Sequence, residues 1–327
     1  MMLPQILRRS HWATLLKIVV AAAIVVAIWR LNIINITMMA RILSQPLAAA
    51  LAVAAIAAAI QLSVVRWYIL LKVHGQNVSI RRLTSIVFTS YFLGSTTFGT
   101  LGIDALRLYY IGRERPDSVG QAYLSIAADR LIGLFGLILT GGLLFALNYT
   151  EVMHHREMRP LVLISLVVAA GILALAGALV AFDRYIAPLL EKVSSFGRLR
   201  THFGLLVRSY GHSLGSIGAC LAISLLVQLL MLTSLLVLTH AILSPALSLS
   251  QLGLAGVGAT IANQVPITPG GLAIGESMFA YLCRLMDPVS ATLDYGSVIF
   301  LQRLLALVAT LPGLLLLFVD RRAPEKL

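Results

Sequence analysis

Charge is what this chain is short of. Only 12% of its 327 residues are Asp, Glu, Lys or Arg, about half the share of an ordinary soluble protein. From Ser209 to Gly275 there is none at all. That run is far longer than the roughly 20 apolar residues that cross a bilayer. A polar stretch large enough for a soluble domain is also lacking. The longest, about 183–212, is too short to fold alone. Any chemistry therefore takes place in or at a membrane.

Other absences narrow the function further. There are two cysteines, Cys220 and Cys283, far apart and not in a C-x-x-C pair; neither a disulfide nor a zinc site is expected. No Gly-Lys dipeptide occurs, so no P-loop drives transport from this chain. Glu151-Val-Met-His154 has the spacing of half a carboxylate-bridged metal site, but the second copy such sites need is missing. No metal and no cofactor is expected. The net charge of +12 would suit nucleic acid only on a soluble basic face, so no nucleic-acid partner is expected. Loop Lys and Arg instead set membrane orientation and favour anionic lipid surfaces. The opening RRSHWATLLK-IVVAAAIVVAIW resembles a signal peptide. In a chain that is 59% hydrophobic it reads as an uncleaved first span.

What is present is an all-α pattern of spans and breaks. Six stretches are long enough to cross: about 15–34, 47–71, 121–147, 161–181, 216–242 and 295–319. Two more apolar segments, about 83–112 and 251–283, are interrupted. They read FTSYFLGSTTFGTLGIDALRLYY (from Phe88) and GATIANQVPITPGGLAIGESMFAY (from Gly258). In each, a helical run ends in Gly, Ser, Thr or Pro. A short helix then opens with one carboxylate, Asp104 or Glu276, and the next apolar helix carries an arginine, Arg130 or Arg303. Interrupted segments at corresponding places in two halves point to a transporter's binding site.

Loop charge decides how the breaks sit. With the N-terminus inside and both breaks re-entrant, 17 Lys and Arg fall inside and four outside (Arg41, Arg156, Arg159 and Arg284). With both crossing, the split is 11 against 10. The positive-inside rule favours re-entry. The expected fold is one transmembrane domain over 1–327: six full helices plus two re-entrant hairpins entering from opposite faces. Its inverted units are about 83–147 and 251–319, with the site between them near the midplane. Both termini are expected on the cytoplasmic side.

The breaks carry the candidate site residues. In Gln264-Val-Pro-Ile-Thr-Pro-Gly-Gly-Leu272, the prolines stop the incoming helix. Gly270 and Gly271 allow a reversal and close approach of a ligand. Thr268 is expected to cap the outgoing helix, with Pro269 at its first position. Free N–H groups there would favour an anion such as phosphate. Asp104 and Arg107 lie three apart on one helix face. They read either as a local ion pair or as a substrate carboxylate beside a phosphate-binding guanidinium. Asp129 and Arg130 are neighbours within a span and must find different partners. Gln302 precedes Arg303 at the same depth of the last span. Ionisable residues inside spans default to function, and a guanidinium fork suits phosphate. Structural pairing is the alternative for all three charges. Arg66, beside Trp67 and near its span's end, is expected to snorkel to the surface, and Arg113 and Arg115 to anchor it.

IDALRLYYIGRERPDSVGQAYLSIAADRLIGL (Ile103 to Leu134) and VPITPGGLAIGE (Val265 to Glu276) resemble the transmembrane domain of lysylphosphatidylglycerol synthases, which also occurs alone in flippase-like proteins. The resemblance covers essentially the whole chain in spacing. The family pattern has Gly-Gly-Asp where this chain has Gly102-Ile103-Asp104, and Gly-Gly-Leu-Gly where it has Gly270-Gly271-Leu272-Ala273. The resemblance implies movement of a lipid with a charged or phosphorylated head between leaflets of a bacterial inner membrane. Nothing follows Leu327, so aminoacyl transfer is not expected of this chain, and it is read as a transporter rather than an enzyme. The alternatives are a membrane enzyme or accessory subunit acting on a lipid-linked substrate, or a small-solute transporter. A membrane lipid is the expected partner; a second copy of the chain or a lipid-synthesis protein is left open.

Overall fold

The computed structural model describes residues 40–73, 75–95, 99–115, 119–154, 214–264, 272–288 and 293–320, with positions 159, 163 and 170. The first expected span (15–34), nearly all of the fourth (161–181), both chain ends, and Thr268, Gly270 and Gly271 lie outside these residues. Every described element is helical. A short 3-10 turn, Arg41–Ser44, leads into α1 (Pro46–Val73), α2 (Ile80–Ser95), α3 (Thr100–Glu114), α4 (Val119–Leu147) and α5 (Tyr149–His154). After the undescribed stretch come α6 (Leu214–Ile242), α7 (Leu249–Ala262), α8 (Ile274–Met286) and α9 (Tyr295–Asp320).

Four of these helices, α1, α4, α6 and α9, are long and apolar enough to cross a membrane. At a rise of 1.5 Å per residue, the 28 residues of α1 reach about 42 Å, beyond a hydrocarbon core of roughly 30 Å. Leu51, Leu139, Leu143, Leu226, Leu229 and Val308 are exposed on these helices. Large apolar side chains facing outward from long helices make the surface that lipid covers. The chain is a polytopic helical membrane protein.

Local signals set the ends of the elements. Pro46 is the first residue of α1, where a missing N–H costs nothing. Past its end, Gly75 takes φ +73 while Gly75 N–H donates to Lys72 O and Gln76 N–H to Leu71 O. That is the paired closure that glycine permits at a helix C-terminus. Ser248 opens α7 with a capping box: its hydroxyl accepts from Gln251 N–H, and Gln251 Oε1 accepts from Ser248 N–H.

The short helices form two hairpins. Arg82 near the start of α2 pairs with Glu114 at the end of α3, and Arg115 donates to Asn77 O at 2.6 Å, so the two open ends lie side by side. At the tip, a Cβ on Gly94 would stand 2.5 Å from Ile103 N. Only glycine lets the arms come so close. In the second hairpin Gly258 meets Leu282, and Gly275 meets Asn263.

Packing between the helices is reciprocal. The first hairpin's α2 lies on α9, and the second hairpin's α7 lies on α4. α1 packs on α4 and α9, as does α6. α1 and α6 pack on each other and run antiparallel: Arg41, in the turn that leads into α1, reaches Ile242 O at the end of α6. Cys220, early in α6, reaches Arg66 O, late in α1. Close approach again falls on glycine. Gly313, after the helix-internal Pro312, abuts the Phe88 backbone, and its carbonyl accepts from Thr89 at 2.9 Å.

Two glycine substitutions should separate contact from propensity. Gly94→Ala is expected to destabilise by about 1–3 kcal/mol, the cost of overpacking. Gly142→Ala, where a new methyl meets nothing within 4 Å, should be neutral or gain up to about 1 kcal/mol. Thermal unfolding in detergent reads both; equal midpoints would show that the hairpin tip is not tightly packed.

Candidate functional site

Each hairpin delivers its carboxylate to the arginine of the next long helix. Asp104, in the second turn of α3, is held by Arg130 of α4. Nε donates to Oδ2 at 2.6 Å and Nη2 to Oδ1 at 2.8 Å. This two-pronged geometry is the strongest form of the pair. Arg130 Nη2 also donates to Thr100 O at 3.2 Å. In the other half, Arg303 Nε of α9 stands 2.9 Å from Glu276 Oε1 of α8. Arg303 Nη2 donates to Asn263 Oδ1 at 3.0 Å. The Glu276 side chain is 1% exposed and the Arg303 side chain 27%. The Arg303 guanidinium is the cation that faces the buried Glu276 carboxylate.

Among the described residues, a second cluster is found in the first half alone. Asp129 is buried between two guanidiniums. Arg66 Nε donates to Oδ1 at 2.6 Å, and Arg107 Nη1 donates to Oδ2 at 3.3 Å. Arg66 Nη1 also donates to Ser224 Oγ at 2.7 Å, which ties α1 to α6. Arg107 lies over the rings of Trp67 and Tyr91, at 5.3 and 5.6 Å from their centroids. Trp67 Nε1 donates to Ser125 Oγ at 3.1 Å. Gly133 makes room for the Arg66 head, and Gly136 for Ser224.

Two expectations are corrected here. Arg66 does not snorkel to the surface: it is buried and bonded to Asp129. A carboxylate buried at that depth is a better partner than water several ångströms away. Asp104 and Arg107 do not form a local pair, because each has a partner on α4, Arg130 and Asp129 respectively. Thr268, expected to cap α8, lies outside the described residues. The helix starts at Ile274 after Ala273, with no side-chain cap.

Of the candidate residues, Asp104 with Arg130, Arg107 with Asp129, and Glu276 with Arg303 are brought together. Gln264 is exposed just past α7, its N–H on Ile261 O. Sequence reasoning missed Asn263, Trp67, Tyr91 and Ser224. The one available signal was Asp129 itself, since an acid deep in a span requires a cation from another helix.

The unequal burial of Glu276 and Arg303 gives a directional prediction. Arg303→Gln leaves a buried carboxylate without its cation and should cost about 3–5 kcal/mol. Glu276→Gln should cost about 1 kcal/mol, because Arg303 keeps Asn263. The double substitution should recover most of the loss. Equal single costs in detergent unfolding would refute the asymmetry. A second prediction concerns Ala273, at φ +70, where the family pattern noted above has glycine. Ala273→Gly should stabilise by about 0.5–1 kcal/mol, since a Cβ is strained there.

No curated protein and no solved structure matches the chain. The model of one family does, that of the lysylphosphatidylglycerol synthase TM region, over residues 7–313. With nearly its whole length matched, the chain belongs to the lysylphosphatidylglycerol synthase transmembrane-region family.

Proposed function

We propose that this protein moves a lipid with a phosphorylated or charged headgroup between the leaflets of a bacterial inner membrane, with both its termini cytoplasmic. The observation that carries the reading is the repeated ion pair. In each half a carboxylate on a short hairpin helix meets a partly exposed arginine on the next long helix. Charges this deep are costly and serve a pathway or a substrate. An arginine that opens from its carboxylate can take a phosphate in the same fork.

The hairpins support re-entry. The 16 residues of α2 reach only about 24 Å, short of the roughly 30 Å core, and the hairpin's two open ends are adjacent. The reciprocal packing supports an inverted repeat, about 83–147 in one unit and about 251–319 in the other, with α1 and α6 as the long helices that precede them. Two equivalent helices that pair antiparallel, as α1 and α6 do, fit a two-fold axis perpendicular to their length, in the membrane plane. Transporters built this way hold substrate between the units and alternate by rocking them. The charge balance of the loops fits the same orientation.

The test uses purified protein in vesicles with a leaflet-sensitive headgroup assay. Glu276→Gln with Arg303→Gln removes both charges together, so neither is stranded. Lipid exchange should fall about tenfold or more, the worth of a charge-assisted contact of at least about 1.5 kcal/mol. The unfolding midpoint should stay close to wild type. Undiminished exchange by the folded variant would refute the mechanism. Altered headgroup chemistry with unchanged leaflet distribution would favour the alternative, an enzyme or accessory subunit acting on a lipid-linked substrate.

A further inference from the structure

The two halves solve the same packing problem with different charge. Three residues after its carboxylate, the first hairpin has Arg107 and the second has Phe279. Both side chains are fully buried. One residue before its arginine, α4 has Asp129 and α9 has Gln302. Asp129 reaches across to Arg66 of α1, whereas Gln302 Nε2 reaches across to Ser234 Oγ of α6 at 2.5 Å and Met231 O at 2.9 Å. The second half closes every one of these positions with neutral groups. The same places in the two halves are thus filled once with charge and once without.

The charge in the first half is also unbalanced. Among the described residues, four arginines lie inside the bundle: Arg66, Arg107, Arg130 and Arg303. Three carboxylates meet them: Asp104, Asp129 and Glu276. Asp129 serves two cations at once. Arg107 holds the longer of its two contacts, and its Nε finds no hydrogen-bond acceptor among the described residues. The aromatic faces of Trp67 and Tyr91 cover the rest of its head. Aromatic rings attract a cation without neutralising it. One positive charge is left over, next along the helix from the Arg130–Asp104 pair, which is partly open.

We propose that Arg107 is a specificity-determining residue, and that its uncompensated charge makes the site select lipids whose headgroup bears one net negative charge, an unmodified phosphodiester. The proposal rests on the lipid-translocation reading above. A phosphodiester brings the single negative charge that the cluster lacks. A zwitterionic head brings an extra cation, and an aminoacylated head reverses the sign. Arg107 does not touch the lipid; it acts through Asp129 and through the field at Arg130. Coulomb attraction over a few ångströms outside bulk water is enough for a preference of about tenfold or more.

The protein is reconstituted in vesicles carrying labelled phosphatidylglycerol, phosphatidylcholine or lysyl-esterified phosphatidylglycerol, and each is followed between leaflets. Arg107→Met leaves Asp129 paired with Arg66 alone, a balanced pair, so folding is preserved; Arg107→Lys keeps the charge. Wild type should move the anionic lipid about tenfold faster than the others. Arg107→Met should reduce that ratio to about threefold or less, and Arg107→Lys should retain it. Equal rates for the three lipids in wild type would overturn the proposal. So would a loss shared in proportion by all three in Arg107→Met, since that is what a merely structural role produces. Stabilisation against heat in detergent is read in parallel. Phosphatidylglycerol should raise the wild-type midpoint more than phosphatidylcholine does, and the difference should vanish in Arg107→Met. If no lipid moves but this selective stabilisation is seen, translocation fails and the anion preference stands; if neither is seen, both fail.

Discussion

A charge held below the headgroups is costly unless the protein surrounds it with opposite charge or polar groups, because little water is there to receive it. Asp129 is where this constraint acts most strongly. To meet it, α1 supplies Arg66, α3 supplies Arg107, and α6 supplies the Ser224 hydroxyl that holds Arg66 in place. Three helices distant in sequence are thereby fixed against α4. Gly133 and Gly136 on α4 admit the Arg66 head and the Ser224 side chain. Remove the carboxylate and the reason for this convergence goes with it.

The adjacent Arg130 obeys the same rule on a different face of α4. Consecutive residues on a helix point apart, so one element sends a negative charge toward α1 and a positive one toward Asp104 of α3. The second half keeps only the outer of these two links. Arg303 meets Glu276, but the inner position is Gln302, which needs only a hydroxyl and a carbonyl. The hairpins thus share their attachment to the following helix while differing in what lies behind it.

Much of this was legible in the residues. The scarcity of charge located the bilayer, and the small-residue breaks located the hairpins, because Gly and Pro act on the backbone directly. The four long helices announced themselves by length and composition. Pairing was harder to read. Asp104 and Arg107 are three apart, so helix geometry alone suggested that they meet; yet each faces a stronger partner across the bundle. Arg66 lies close enough to the end of its apolar run to reach either the interface or the interior. Only the position of α4, a tertiary fact, decides between them. Likewise Asn263 has an ordinary amide side chain at the end of α7, and nothing local marks it as the neighbour of Arg303.

Arg107 also lies in an electric field that the sequence does not mention. Where a membrane holds a voltage, carrying one elementary charge across it does about 2.3 kcal/mol of work per 100 mV. An ion pair that moves as a unit does none. The Arg66–Asp129 pair and the two outer pairs are electrically silent, and the surplus guanidinium is not. Any rearrangement that shifts α3 along the membrane normal is therefore a gating current in miniature, and the cell's energised state weights one end of that motion against the other.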